Sequence, residues 1–328
     1  MDAKVAPADI RYPTDLDLLN EARKKNEALI DMLYRPEPGK QKPRTYRRRA
    51  QEEYLSVAKL RKKTQRVLRR AIRKQLGYLR RNIKTIHRLL DDYEQMPLTY
   101  RQLRMFWIIQ EFYRQQEQMY RKKAHRVGCR IVSLSQPHVR PIVRGKAGVD
   151  VEFGVQVSAS YVNGYVFVDR LSWEAVHEGK DLKYQVERFR ERFGFYPSAV
   201  LADGKYGSRE NRAYLKEKGI KFLGRPLGRP PKEAKEHTKE IRQLLKQQRR
   251  QRVKIEGKFG QGKRGYDLNM VKAKTAETTA SWIGVVFFVM NIAQFLKELI
   301  FSFFKLGVIA LGEAPKWISE PFLEPNFC

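Results

Sequence analysis

Cysteine is almost missing from this sequence: Cys129 and Cys328 are the only two in 328 residues. That excludes a disulfide framework and a multi-thiolate zinc site, and it fits a reducing compartment. Histidine is scarce as well. His87, His125, His138, His177 and His237 fall at no spacing used for metal ligation, and none adjoins an obvious nucleophile, so no triad is read from them. Acids are under-represented too: 36 Asp and Glu face 67 Lys and Arg, a formal charge of +31. A small metabolic enzyme has no need of such self-repulsion. A polyanionic partner accounts for it, nucleic acid first and an anionic membrane less well. No secretory leader opens the chain, because Met1 to Asp15 is polar and partly acidic. Long uncharged runs are also rare, and TASWIGVVFFVMNIAQFL, from Thr279 to Leu296, just reaches the minimum for a spanning helix. Asn291 and Gln294 interrupt it and Lys297 and Glu298 follow at once, so it reads as a buried core helix.

What is present begins with a 42% apolar fraction, enough for a real core. The length suits two domains, or one core with a large insertion. Charge is unevenly spread. From Lys42 to Arg88 there are 18 Lys or Arg against Glu52 and Glu53 alone. Apolar residues from Val57 to Leu90 recur there mostly at spacings of three and four, which predicts helix with cationic outer faces. A second helix, with an aromatic stripe, is expected from about Tyr100 to Arg121. RPEPGKQKPRT, with three prolines and a glycine, reads as a break. The span 17–127 is therefore expected to be mostly helical.

After Cys129 the pattern changes. Two apolar or alternating runs flank Asn163-Gly164, a strong hairpin signal. A helix is expected from about Asp181 to Phe193, then a short strand from Ala199 to Ala202. A helix capped by Ser208 and ended by Gly219 follows, and then a strand from Ile220 to Leu223. This order predicts an α/β sheet with helices on it. The basic connector GRPLGRPP, with Arg229, precedes another basic helix, which Gly257, Gly260 and Gly262 are expected to fray. Phe301 to Leu311 reads as a further apolar helix.

Two acids stand out. Asp203 ends a short apolar strand, the place where α/β sheets usually hold ligands, although Asp before Gly is also a common turn. Glu256 lies in RQRVKIEGKFGQGKRGY among cations and glycines, as a carboxylate holding a hard cation beside a polyanion would; charge balancing is the plainer alternative. Asp169, at the end of YVFVD, reads as a strand-end or turn residue.

VLADGKYGSRENRAYLKEKGIKFLGRPLGRPPK and RVKIEGKFGQGKRGYDL resemble the catalytic region of bacterial DDE transposases of the insertion-sequence class. The opening MDAKVAPADIRYPTDLDLLNEAR resembles the piece around the first catalytic Asp in one branch, and VRPIVRGKAGVDVEFG and VFVDRLSWEA are similar to further stretches. The resemblance implies a ribonuclease-H-like mixed sheet with a large basic helical insertion after the first strand. Residues 1–16 would be the first strand and turn, 17–127 the insertion, 128–310 the rest of the core and 311–328 a tail.

The resemblance carries catalytic and metal-binding roles to Asp2, Asp203 and Glu256, and phosphate-gripping roles to Arg252 and Lys263. Arg249 stands where the family's signature has tyrosine, and Lys4 where a Thr or Ser usually follows the first Asp. Asp9 and Asp15 are substitutes for the first ligand. The implied cofactor is Mg²⁺ or Mn²⁺, two ions, with Asp2 bridging them. Double-stranded DNA, as transposon ends and target, is the implied partner, with a homodimer or higher oligomer on DNA and no membrane. The implied location is the bacterial cytoplasm, at the nucleoid when bound. Relatives carry a further region before the first strand, often a helix-turn-helix module. A strand starting at Asp2 is therefore expected to fray, and the chain to be a fragment. The alternative is a catalytically inactive remnant that only binds nucleic acid.

Overall fold

The computed structural model describes residues 1–38, 41–146, 149–174, 176–224, 227 and 237–310. It is a mixed α/β structure of two compact units, Met1–Ala8 with the chain from Ile142 onward, and Asp9–Pro141.

The first unit is built on β1 (Asp2–Pro7), β2 (Arg140–Lys146), β3 (Val149–Val162) and β4 (Tyr165–Ser172). The long strand β3 pairs with β1, β2 and β4. Its pairing with β1 is antiparallel, Asp2 facing Ala159 and Pro7 facing Gly154. Asn163 and Gly164 turn the β3–β4 hairpin with φ of 48° and 94°, the left-handed pair that a two-residue turn demands. The expected fraying of β1 does not occur. Every residue from Asp2 to Pro7 is paired, and Ala3, Val5 and Ala6 are buried. Gly154 is required there, since a Cβ would lie 2.1 Å from the Ala6 carbonyl oxygen.

Residues along β3 alternate in purpose. Val155, Val157 and Ala159 join Ile255 and Phe259 of α7 (His237–Gly265) and Ile283, Phe287 and Met290 of α8 (Ala276–Ala310) in one apolar core. Gln156, Ser158 and Ser160 face the other way and are buried too. Such polar groups need partners. Ser158 donates to Asp181 at 2.7 Å, and Ser160 and Gln185 both donate to Asp169. Asp169 is thus no simple turn residue. It is the extra residue of a β-bulge, Ser158 facing Arg170 and Ala159 facing Val168. The bulge aims its carboxylate inward, where Arg192 also reaches it.

A second pair of strands, β5 (Ala199–Leu201) and β6 (Lys221–Leu223), runs parallel. Around it, α5 (Leu182–Phe193) and α6 (Arg209–Glu217) bury Leu182, Val186 and Leu215 against Val200 and Ala202, with Tyr206 of the turn between β5 and α6 in the same cluster. Ser208 caps α6 as expected, accepting from the Asn211 N–H. The Met1 backbone nitrogen donates to the Leu201 carbonyl at 2.8 Å, which sets the start of β1 beside the end of β5.

Two expectations about helices fail. The glycines do not fray α7, which stays helical to Gly265. Ile255 and Phe259 anchor it in the core, and Gly262 allows close approach, its absent Cβ position lying 3.3 Å from Met290 Sδ. Nor is there a separate apolar helix from Phe301, because α8 continues unbroken to Ala310.

The other unit holds α1 (Asp15–Leu33), α2 (Arg47–Ala58), α3 (Gln65–Asp91) and α4 (Tyr100–Lys122). The cationic helical stretch is divided between α2 and α3, with Thr64 capping the second through the Val67 N–H. Leu19, Leu79, Ile109 and Phe112 centre one cluster, and Ile30, Leu33, Ile86 and Phe106 another. Arg23 is buried, 1% exposed. Glu27 at 2.5 Å, Asn20 at 2.7 Å and Gln51 at 3.1 Å accept from its guanidinium.

Candidate functional site: an acidic pocket between β1, β5 and α7

A cavity of about 520 Å³ opens in the first unit, and Asp2, Asp203, Glu256 and Arg252 all line it. They arrive from three elements. Asp2 begins β1 and is 8% exposed, held there by the β3 ladder. Asp203 follows β5, where the chain leaves the strand for a short 3₁₀ turn, Gly204–Tyr206, and accepts from the Gly204 N–H at 2.7 Å. Arg252 and Glu256 lie one helical turn apart on α7 and share a face.

Cations knit these acids together. Arg252 Nη1 donates to Asp203 Oδ1 at 2.8 Å, and its Nη2 stands 3.5 Å from Glu256 Oε1. One planar guanidinium touches both carboxylates, so their contacting oxygens lie within about 9 Å of each other. Lys4 Nζ is 3.1 Å from Asp2 Oδ2, in keeping with a cation beside the first acid. Partial burial raises the Asp203 pKa, but the Gly204 N–H and the Arg252 charge outweigh it and hold the carboxyl below its ordinary value.

Sequence reasoning missed two lining residues, His177 and Glu178. Both sit at the turn that leads through a 3₁₀ segment, Glu178–Asp181, into α5. Burial raises the Glu178 pKa, and the charges of Asp2 and Asp203 push the same way against Lys205 and Lys4. Lys205 Nζ is 3.9 Å from Glu178 Oε1. The turn is fixed by Gly179, where a Cβ would meet the Lys205 carbonyl oxygen at 2.4 Å. Asn211 locks the same junction, donating to the Gly179 and Tyr206 carbonyls at 2.7 and 2.8 Å. A turn glycine gives no such signal in one sequence, because the contact it permits is with a backbone carbonyl distant in the chain.

Other expected site residues lie elsewhere. Lys263, two turns beyond Glu256 on α7 and about 10 Å along its axis, is not among the residues lining the cavity. Asp15 is bound by Arg130 and Gln116, both at 2.7 Å, and like Asp9 belongs to the helical unit. The turn around Arg229, the side chain of Arg249 and the tail 311–328 lie outside the described residues.

Residues 200–293 match the family model described as the transposase DDE domain. That stretch, less than a third of the chain, is similar to a transposase DDE domain. The matched stretch contains Asp203, Arg252, Glu256 and Lys263, and Asp2 precedes it. No curated protein and no solved structure matches the chain.

DDE transposase domains generally use divalent metal, and oxygen donors such as these suit a hard cation. The arrangement is not a finished metal cage. Among the described residues no three His, Cys, Asp or Glu side chains are gathered to hold one ion, and Lys4 and Arg252 supply the positive charge at the acids.

The helical unit presents a second feature. Arg66, Arg70, Arg73, Arg80, Lys84 and Arg88 are all exposed on α3. Their spacing sets them along one face of the helix, a cationic ridge about 33 Å long.

Proposed function

We propose that this DDE transposase region cleaves and joins DNA strands, with Asp2, Asp203 and Glu256 as its metal-holding acids, in the transposition of a bacterial insertion sequence. The observation that carries the reading is that these three acids, spread over more than 250 positions of the sequence, line one cavity in a chain whose residues 200–293 match the DDE domain. A ribonuclease-H-like core is supported by strand order. β4, β3 and β1 are joined antiparallel, the Met1–Leu201 hydrogen bond sets β1 beside β5, and β6 runs parallel to β5. The helices within Asp9–Pro141 are then the basic insertion after the first strand, 17–127.

A divalent ion bound here, Mg²⁺ or Mn²⁺ and in the fullest form two ions, supplies Lewis acidity to a phosphate and lowers the pKa of a bound water or hydroxyl. Holding it requires Arg252 to release Asp203 and Glu256, which leaves the guanidinium free to grip a phosphate oxygen. Lys4 has the same choice between Asp2 and substrate. Glu178 adds negative charge to the wall, and Lys263 is assigned to DNA backbone beyond the cavity. The α3 ridge is the further surface for double-stranded DNA, where affinity comes from phosphate contacts. Assembly as a homodimer or higher oligomer on DNA, and a cytoplasmic location, belong to this reading.

The test is nicking of supercoiled plasmid by the full chain with Mg²⁺ or Mn²⁺. Asp203→Asn and Glu256→Gln should each abolish nicking while retaining DNA binding; full activity in either variant removes the assigned metal role. One observation favours a second reading, a remnant that binds DNA without cutting it: Lys4 and Arg252 stand on the very acids a metal needs. Metal-independent DNA binding with no nicking on any substrate would select it.

A further inference from the structure

The outer face of α8 is unlike any other surface of the described residues. Its inner side is committed: Thr279, Ile283, Phe287 and Met290 are buried. Asn291 exchanges two hydrogen bonds with the Val166 backbone, at 2.9 and 2.8 Å, and Glu298 accepts from Tyr165. The side turned away from the core carries Val285, Phe288, Ile292, Phe295, Leu299 and Phe303, all exposed, Phe288 by 64% and Phe303 by 74%. Their three-and-four spacing makes one stripe about 27 Å long. From Leu299 to Phe304 only Ser302 is polar, and Phe301 and Phe304 are exposed as well.

We infer that this face is the interface with a second copy of the same chain, α8 against α8 about a two-fold axis. Area is the first argument. Together with Val289, Leu296 and Ile300, the exposed side chains present roughly 1,000 Å² of apolar surface, taking about 150–250 Å² for each aromatic when open. Monomers rarely leave more than about 300–600 Å² in one patch, and a stable interface needs about 800 Å² from each partner. Charge is the second. In a chain of +31, the only charged residues from Ala276 to Phe304 are Glu277, Lys297 and Glu298, so two copies of this stretch meet with little like charge to oppose them. Shape is the third: a straight stripe with heptad-like spacing packs on its own copy as coiled-coil seams do. The helix is long and apolar enough to cross a membrane, but its hydrogen bonds and buried side hold it to the sheet. The dimer does not depend on the acidic pocket, and its test leaves that pocket untouched.

The full chain is examined by light scattering after size exclusion, at high salt and without DNA. The mass should be that of two chains, and the double substitution Phe288→Glu with Phe295→Glu should halve it to 38.7 kDa with an unchanged far-ultraviolet spectrum. Ile292→Cys, in a chain with Cys129 and Cys328 replaced by serine, should form a covalent dimer on oxidation, because residues near a two-fold face their own copies. A monomeric wild type, as expected if residues 311–328 cover the stripe, overturns the inference. So does a double variant that keeps the doubled mass, a cysteine variant that does not cross-link, or a wild type that floats with phosphatidylcholine vesicles.

Discussion

Each unit carries an arginine paired with a glutamate one turn later on a helix, and the two pairs differ in what surrounds them. In the helical unit Arg23 and Glu27 are sealed, with Asn20 and Gln51 taking further donors of the guanidinium. In the pocket unit Arg252 and Glu256 open on a cavity, 29% and 40% exposed, and Arg252 also reaches Asp203. The sequence pattern is one and the same. Burial separates them: a sealed charge pair cannot lose a partner cheaply, whereas an open one can trade partners. The first is scaffold, and the second is the pair to which we assign metal and phosphate binding.

Breaking each pair gives the widest contrast. Glu27→Ala leaves Arg23 charged and buried, and should cost about 3–5 kcal/mol in chemical denaturation. Glu256→Gln should cost under about 1 kcal/mol, since Arg252 is partly solvated and keeps Asp203 as a partner. Equal losses would erase the distinction. The open cations of α3 extend the comparison to affinity. If the six ridge residues each neutralise one phosphate, the log–log salt slope of DNA binding is about −5, and affinity falls roughly a thousand-fold for a fourfold rise in salt. Replacing all six by glutamine should remove most of that dependence, as read by fluorescence anisotropy.

Positioning of the pocket is next in size. Gly179→Ala should cost about 2–3 kcal/mol in denaturant melts, because the new methyl meets a backbone carbonyl that cannot swing aside. Gly257→Ala, with nothing within 4 Å, should be neutral or stabilising. The smallest effect is on titration. Asp203 is held below its ordinary pKa by the Gly204 N–H and Arg252, against its own partial burial. A depressed carboxyl contributes stability above its ordinary pKa and loses it as pH falls through the lowered value. Arg252→Gln should therefore move the Asp203 midpoint upward, toward the ordinary range, in a carboxyl-carbon NMR titration.

Local chemistry was the legible part of the sequence. Asn163-Gly164 demanded a turn, Ser208 announced a cap, and Asp203 ended a strand, each because one residue's own conformational or hydrogen-bonding preference decides the outcome. What depends on distant packing was hidden. His177 and Glu178 reach the pocket only because Gly179 lets two turns touch, and Asp169 is buried because a bulge rotates it inward. The glycines of α7 suggested fraying, yet tertiary contacts at Ile255, Phe259 and Gly262 override their weak propensity. The uncharged run of α8 was read as core, and only its inner side is. Asp2 is unremarkable by composition, and resemblance alone points to it; its burial comes from pairing with Ala159, 157 positions away.

The most direct measurement of the central claim is Mn²⁺ binding to the full chain, followed by electron paramagnetic resonance, alongside Asp2→Asn, Asp203→Asn and Glu256→Gln. If the three acids form one site, the wild type binds Mn²⁺ and each substitution weakens that binding at least tenfold while the fold is kept. Binding left intact by all three substitutions would contradict the account.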